Sequence, residues 1–223
     1  MLVSHRHQFI FTKTRKTAGT SVESYFERFC MADGEWSESH ARREYESATG
    51  IIGQRGHGPG QLWSQHMSAA LIRDRLGAAL WDRYYKFCIV RNPFDMVISL
   101  FYFRRGSGLL PPAPGQSDAE QFEQWIQGAA LASDAPMYVI DGKIGMDFIG
   151  RYERLTTDLE AICGSLGLPW NAAALPGLKK GLRPAHARVA SLHTERTKAV
   201  VQRVFAFELH TFGYTFEQAL AAA

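Results

Sequence analysis

The segment Tyr84-Tyr85-Lys86-Phe87-Cys88-Ile89-Val90 is an aromatic and β-branched run that halts at Arg91-Asn92-Pro93. Such side chains fit a pleated, half-buried surface, so the run reads as a strand. Asn92 is a favoured N-cap and Pro93 a favoured first helical residue, so a helix starts where the strand stops. Val97, Ile98, Phe101 and Tyr102 form its expected buried face. The same order occurs earlier. Gln8-Phe9-Ile10-Phe11-Thr12 reads as a strand and Lys13 to Ser21 as a polar loop of small residues. Val22, Tyr25, Phe26 and Phe29 then recur at helical spacing, with Thr20 or Ser21 as the expected cap. A third unit runs from a strand at Met146 to Tyr152 into a helix through Leu155, Leu159, Ile162 and Leu166, closed by Gly167. Repeated strand-to-helix units select an α/β fold with a central parallel sheet flanked by helices, in which ligands bind beyond the carboxyl ends of the strands.

The rest of the chain is less periodic. Ser68 caps an expected helix through Leu71, Ile72 and Leu76, with Met67 and Ile72 as a hydrophobic staple and His66 in the loop just before it. Phe122, Trp125 and Ile126 mark a further helix. Thr194 to His210 reads as one amphipathic helix with Val200, Val204 and Phe207 on its inner face, closed by Gly213. Met31 to Gly60 reads as loops with a short helix. Gly106 to Asp118, with three prolines and three glycines, reads as an exposed loop of the kind that serves as a lid or linker. There is no internal repeat. A chain of 223 residues, 46% hydrophobic, is long enough for one sizeable core, so a single domain over residues 1–223 is expected.

Charge narrows the partners. With 25 Lys and Arg against 22 Asp and Glu, the formal balance is +3, which argues against nucleic acid and against an anionic membrane as partners. Any basic site is therefore local. Cys30, Cys88 and Cys163 are few, odd in number and far apart, which suits a reducing, cytoplasmic setting rather than a disulfide or CxxC zinc framework. No apolar run reaches the roughly 18–20 residues of a membrane span, and the amino-terminal stretch lacks the basic-then-apolar layout of a signal peptide.

Both strong strands end in anion-binding chemistry. In Arg15-Lys16-Thr17-Ala18-Gly19-Thr20-Ser21, small residues let successive amides converge on an anion at the positive end of the following helix, and Lys16 adds a mobile charge. It is not a Walker A sequence, because the lysine precedes the glycine. In the second loop, Arg91 is placed to fork onto a phosphate and Ser99 to add a hydroxyl donor. The plainer alternatives are an ordinary helix cap in the first loop, and in the second an Arg91 paired with a surface carboxylate and a solvated Ser99.

Taken together and in order, the two segments resemble the cofactor signature of sulfotransferases that use 3′-phosphoadenosine 5′-phosphosulfate (PAPS). Residues 16–21 are similar to the family's 5′-phosphosulfate loop, commonly PKTGGTS. Arg91-Asn92-Pro93-x-Asp95-x-x-x-Ser99 is similar to its 3′-phosphate motif, commonly RNPxDRxxSxY. His66 sits where the branch related to carbohydrate 2-O-sulfotransferases, and many bacterial members, carry a histidine base. Tyr152-Glu153-Arg154-Leu155 resembles a later strand end whose tyrosine lies near the adenine and 3′-phosphate. Phe212-Gly213-Tyr214-x-Phe216 is a typical ending. The chain departs from the pattern at Arg15, where proline is usual, and at Met96, where arginine is usual.

The resemblance implies a P-loop-like sulfotransferase fold and sulfuryl transfer from PAPS, releasing 3′-phosphoadenosine 5′-phosphate (PAP). The acceptor it implies is a hydroxyl, on a carbohydrate or small molecule. It assigns Arg15 and the run Lys16, Thr17, Ala18, Gly19, Thr20 and Ser21 to the phosphosulfate, with Lys16 also acting in catalysis. Arg91, Ser99, Tyr152 and Arg183 fall to the nucleotide, with Lys180 beside Arg183, although a solvated basic turn is an equal reading of that pair. His66 is the expected base, ahead of His57 and Glu38; Glu35 and His40 lie in the same acidic stretch as Glu38. No metal is expected, because the donor arrives activated and neither His5-x-His7 nor the His57/His66 pair has a third ligand at sensible spacing. A nucleotide phosphotransferase or a non-catalytic nucleotide-binding relative are the alternatives.

Overall fold

The computed structural model describes residues 1–56, 58, 60–178 and 181–221. Its strands are β1 (Leu2–Ser4), β2 (Phe9–Phe11), β3 (Tyr45–Glu46), β4 (Gly50–Ile52), β5 (Tyr85–Val90), β6 (Val139–Ile140), β7 (Lys143–Ile144) and β8 (Phe148–Arg151). The helices are α1 (Gly19–Phe26), α2 (Ala69–Leu76), α3 (Ala78–Arg83), α4 (Pro93–Gly106), α5 (Asp118–Gly128), α6 (Leu155–Ser165), α7 (Val189–Leu192), α8 (Glu195–Val204), α9 (Ala206–Phe212) and α10 (Phe216–Ala221). The chain packs as two compact units: residues 1–90 with 136–178, and residues 91–135 with 179–223.

The first unit holds a six-stranded sheet in the order β3-β4-β1-β2-β5-β8. β2, β5 and β8 are parallel, as the strand-to-helix units require. β1, β4 and β3 extend the sheet antiparallel on one side. Side chains alternate as a pleated sheet demands. Leu2, Phe9, Phe11, Phe87 and Ile89 face the layer of α1 and α6, whereas Val3, Ile10 and Ile51 face the layer of α2 and α3. Ser68 caps α2 by accepting from the Leu71 amide at 3.3 Å, and Met67 and Ile72 are buried together.

Two expectations fail in this unit. Among its described residues the stretch 31–60 carries no helix; it supplies β3 and β4, because the short apolar run Gly50-Ile51-Ile52 pairs with β1. Gly50 is required there, since a Cβ would lie 2.4 Å from the Val3 carbonyl oxygen and 2.7 Å from that of Cys30. The second is the cap of α1. That helix is preceded by Ala18, in the left-handed region at φ 56°, with no side chain accepting from its first amides. Thr20 and Ser21 lie one and two residues inside the helix, where their hydroxyls no longer face the uncapped N–H groups.

The second unit is helical. α4 starts at Pro93 with the Asn92 side chain accepting from the Phe94 amide at 3.1 Å, and Val97, Ile98, Phe101 and Tyr102 are buried as the pattern requires. α5 carries Phe122, Trp125 and Ile126 against the same core. The carboxy-terminal segment differs from the single helix expected. α8 stops at Val204, Phe205 breaks the helical conformation at φ −109° and ψ 27°, and α9 and α10 follow. The buried face is Val201 and Phe205, at 0% and 2% exposure, while Phe207 is 38% exposed. Turning the chain at Phe205 drives that ring into the core of Phe94, Phe101 and Phe122, a gain of apolar burial larger than one continued helical turn provides.

The corrected register has a measurable consequence. Phe205→Ala is expected to cost about 3–5 kcal/mol in urea unfolding, whereas Phe207→Ala changes stability by no more than about 0.5 kcal/mol. A larger loss for Phe207→Ala would restore the single amphipathic helix.

Candidate functional site

In the first unit, the ends of β2, β5 and β8 share one edge of the sheet because the three strands run the same way. The loop that leaves β2 is fastened to β5: the Thr12 amide donates to the Phe87 carbonyl at 3.0 Å, and the Thr14 hydroxyl donates to that of Ile89. Thr14 also meets the Thr17 hydroxyl at 2.9 Å. Between these anchors, Lys16 and Ala18 both take positive φ, at 59° and 56°. Two non-glycine residues in the left-handed region within three positions cost of order 1–3 kcal/mol each, and such strain collects where a loop must present its amides. The turn delivers the chain into α1 with Gly19 and Thr20 first. Their amides have no acceptor among the described residues, so the positive end of α1 is open to an anion.

The hydroxyls of this loop are more committed than the sequence suggests. Thr17 is engaged with Thr14, Ser21 accepts from the Leu178 amide at 3.2 Å, and Thr20 accepts from the Lys13 ammonium at 3.4 Å. The cradle is therefore chiefly backbone. Arg15 and Lys16 are half-buried and each has further polar contacts.

Lys13 is the residue that sequence reasoning missed. Its side chain is buried, with Nζ 2.5 Å from Glu23 Oε2 and 3.1 Å from Gln65 Oε1. Its stem passes beneath Gly19, where a Cβ would stand 2.8 Å from Lys13 Cγ. Glu23 also receives the Met1 α-amine at 2.8 Å and Arg55 Nε at 3.1 Å. Burial opposes its charge, yet these cations hold the Glu23 carboxyl at about 2. Glu27, one turn on, takes Arg55 and Arg42, but burial wins there and moves its carboxyl upward.

His66 stands against the start of the same loop, its Nδ1 3.0 Å from the Lys13 carbonyl oxygen. A carbonyl only accepts, so Nδ1 carries the hydrogen and Nε2 the lone pair. Burial, then the positive charge of Lys13, pushes the His66 imidazole down to about 4. It is neutral at physiological pH. The other candidate bases lie elsewhere: Glu35 accepts from the Tyr45 hydroxyl at 3.1 Å, and Glu38 and His40 are exposed. His57 and Lys180 fall outside the described residues. Tyr152 is half-buried against the core and opens a 3₁₀ turn directly after β8, whose Arg151 pairs with Val90.

In the second unit, Arg91 donates through Nε and Nη2 to Asp95 Oδ2 at 2.8 and 2.5 Å. Arg183 bonds the other oxygen of Asp95 and donates from Nε to the Ala187 carbonyl at 2.6 Å. Arg183 is thus no solvated turn, and Arg91 pairs with a carboxylate of its own motif. Burial would raise the Asp95 carboxyl, but the two guanidiniums outweigh it and hold it below the usual range. Asp95 thus divides its two oxygens between two guanidiniums. Ser99 lies one further turn along α4 from Asp95, on the same side of the helix and half-buried. Among the described residues no cluster of three His, Cys, Asp or Glu side chains could hold a metal ion, and no helix is long and apolar enough to cross a membrane.

Comparison with known proteins bears on this geometry. A relative in Archaeoglobus fulgidus, an uncharacterized protein, is 31% identical over 109 residues, spanning 46% of this chain and 84% of the relative. The crystal structure of mouse sulfotransferase SULT7A1 complexed with PAP superposes with a TM-score of 0.52 at 14% identity, covering 97% of this chain and 90% of that one. At that identity the likeness speaks to the fold. The family model for the sulfotransferase family matches residues 1–215, and so takes in both anion loops, His66, Tyr152 and Arg183. On that match the chain belongs to the sulfotransferase family.

Proposed function

We propose that this sulfotransferase moves a sulfuryl group from PAPS to an acceptor hydroxyl on a carbohydrate or small molecule, with His66 as the base. The observation that carries the proposal is the strained turn at Lys16 and Ala18, which leaves the amino terminus of α1 uncapped beside a histidine of defined tautomer. An uncapped helix start is complementary to a phosphosulfate, and the guanidiniums of Arg91 and Arg183 are complementary to a phosphate. The residues present therefore fit the donor.

When bound, PAPS supplies a sulfuryl group already attached to a good leaving group. The chain does the rest by positioning and charge. Residues 16–21 hold the phosphosulfate end through the amides of Gly19 and Thr20, with the Lys16 ammonium against the oxygen on which negative charge grows. Arg91, Arg183 and Ser99 hold the 3′-phosphate, and Tyr152 lines the nucleotide. The lone pair on His66 Nε2 accepts the hydroxyl proton of the acceptor as the oxygen attacks. Arg15, in place of the usual proline, adds positive charge at the mouth of the loop. The three cysteines are buried and form no disulfide, which suits a cytoplasmic setting.

Three outcomes are expected. Arg91→Ala weakens PAP binding by about 2–3 kcal/mol, measured by calorimetry on folded protein. His66→Ala leaves PAP binding nearly unchanged and lowers turnover about 10²–10⁴-fold. Because the base must be neutral and the free ring takes its proton near pH 4, kcat/KM holds as pH falls through 6.5 and drops only as pH approaches about 4. Absence of PAP binding by folded wild-type protein, or stronger stabilisation by ATP with magnesium, would overturn the assignment.

A further inference from the structure

Both ends of Lys13 are in use. Its carbonyl accepts from His66 Nδ1, and its ammonium binds Gln65, the residue next to His66, together with Thr20 and Glu23 on α1. The stem between them lies against Gly19, the first residue of α1. A buried ammonium costs several kcal/mol unless it is paired and hydrogen-bonded. An apolar side chain in the same place would fill the space at less cost. What the lysine adds is a tie in three directions, joining the histidine segment to the helix that receives the anion.

We propose that Lys13 is a positioning residue for the transfer: its carbonyl orients the His66 ring and its ammonium fixes Gln65 to α1, so that the base and the anion loop keep one spacing. This rests on His66 being the base. Sulfuryl transfer in line depends on the acceptor oxygen reaching sulfur at a set distance, and an error of about 1 Å costs of order 10²-fold. Among the described residues, the hydrogen bond from Nδ1 to the Lys13 carbonyl is what holds the His66 ring. Lys13 also sets the charge felt by the ring. The cations near His66 are Lys13 and the Met1 α-amine, both opposing protonation, and Glu23 favours it. Removing the Lys13 charge therefore lets the ring take its proton at higher pH.

The test compares Lys13→Met, Lys13→Arg and Gln65→Ala with wild type. It reads the His66 titration by NMR on folded protein, PAP affinity by calorimetry, and turnover. Lys13→Met is expected to move the His66 midpoint up by about one unit and to lower turnover about 10–100-fold, with PAP affinity within about threefold. Lys13→Arg keeps the charge and holds the midpoint within about half a unit. Gln65→Ala removes one strut without stranding a buried charge, so it carries the test if Lys13→Met does not fold. A turnover loss of about tenfold with PAP affinity retained supports the tie; unchanged turnover overturns it. A His66 midpoint that does not move in folded Lys13→Met, or a turnover loss that only tracks lost PAP affinity, also overturns it. Full turnover in a His66→Ala variant that still binds PAP removes the base assignment instead, so the two failures are distinct.

Discussion

The first unit is organised around a buried charge network in α1. All eight residues of that helix are buried, and two of its neighbours in space, Lys13 and Arg55, reach Glu23 from segments 10 and 32 residues away in the chain. Arg55 then spans to Glu27, which Arg42 also binds. Isolated, each of these charges would be expelled to water. Together they commit the stretch 31–60, poor in apolar residues, to one place against α1. The opposite signs of the shifts at Glu23 and Glu27 fit this arrangement: Glu23 faces three cations and Glu27 two, and two do not offset its burial.

The positive groups of the two units differ in kind. At the start of α1 the attraction comes from backbone amides that a strained turn leaves without a cap, so it is fixed in direction and independent of pH. Around Asp95 it comes from side chains, two guanidiniums sharing one carboxylate. A formal balance of +3 over 223 residues is enough for both, because neither relies on a broad basic surface. The family match takes in both loops, and the described contacts account for how each is held.

How much was legible in the sequence follows the range of the forces involved. β5, α4 and the Asn92-Pro93 start were readable because cap, first residue and apolar stripe are neighbours in the chain. β2, β8 and α6 were readable on the same grounds. β3 and β4 were not, since strands of two or three residues carry no period and exist only through pairing with β1. The break at Phe205 was hidden because Val200, Val204 and Phe207 offer a plausible stripe, and only the core of α4 and α5 favours Val201 and Phe205 instead. Of the site, the loop residues were legible by motif. The spacing of Arg91 and Asp95, one helical turn apart, was a visible signal for their pairing. Lys13 gave no local sign: a lysine after a strand is ordinarily solvated, and its partners Glu23 and Gln65 become neighbours only on folding.

The shared carboxylate of Asp95 bears on the release of an anion as much as on its capture. Arg91 and Arg183 already have a counter-charge in place, so an anion that departs does not strand two bare cations. The protein's own carboxylate competes for the same donors, which tempers affinity and favours exchange. Two guanidiniums that already share a carboxylate hold a further anion less tightly than two bare ones, so exchange at such a cluster is governed by one acidic side chain.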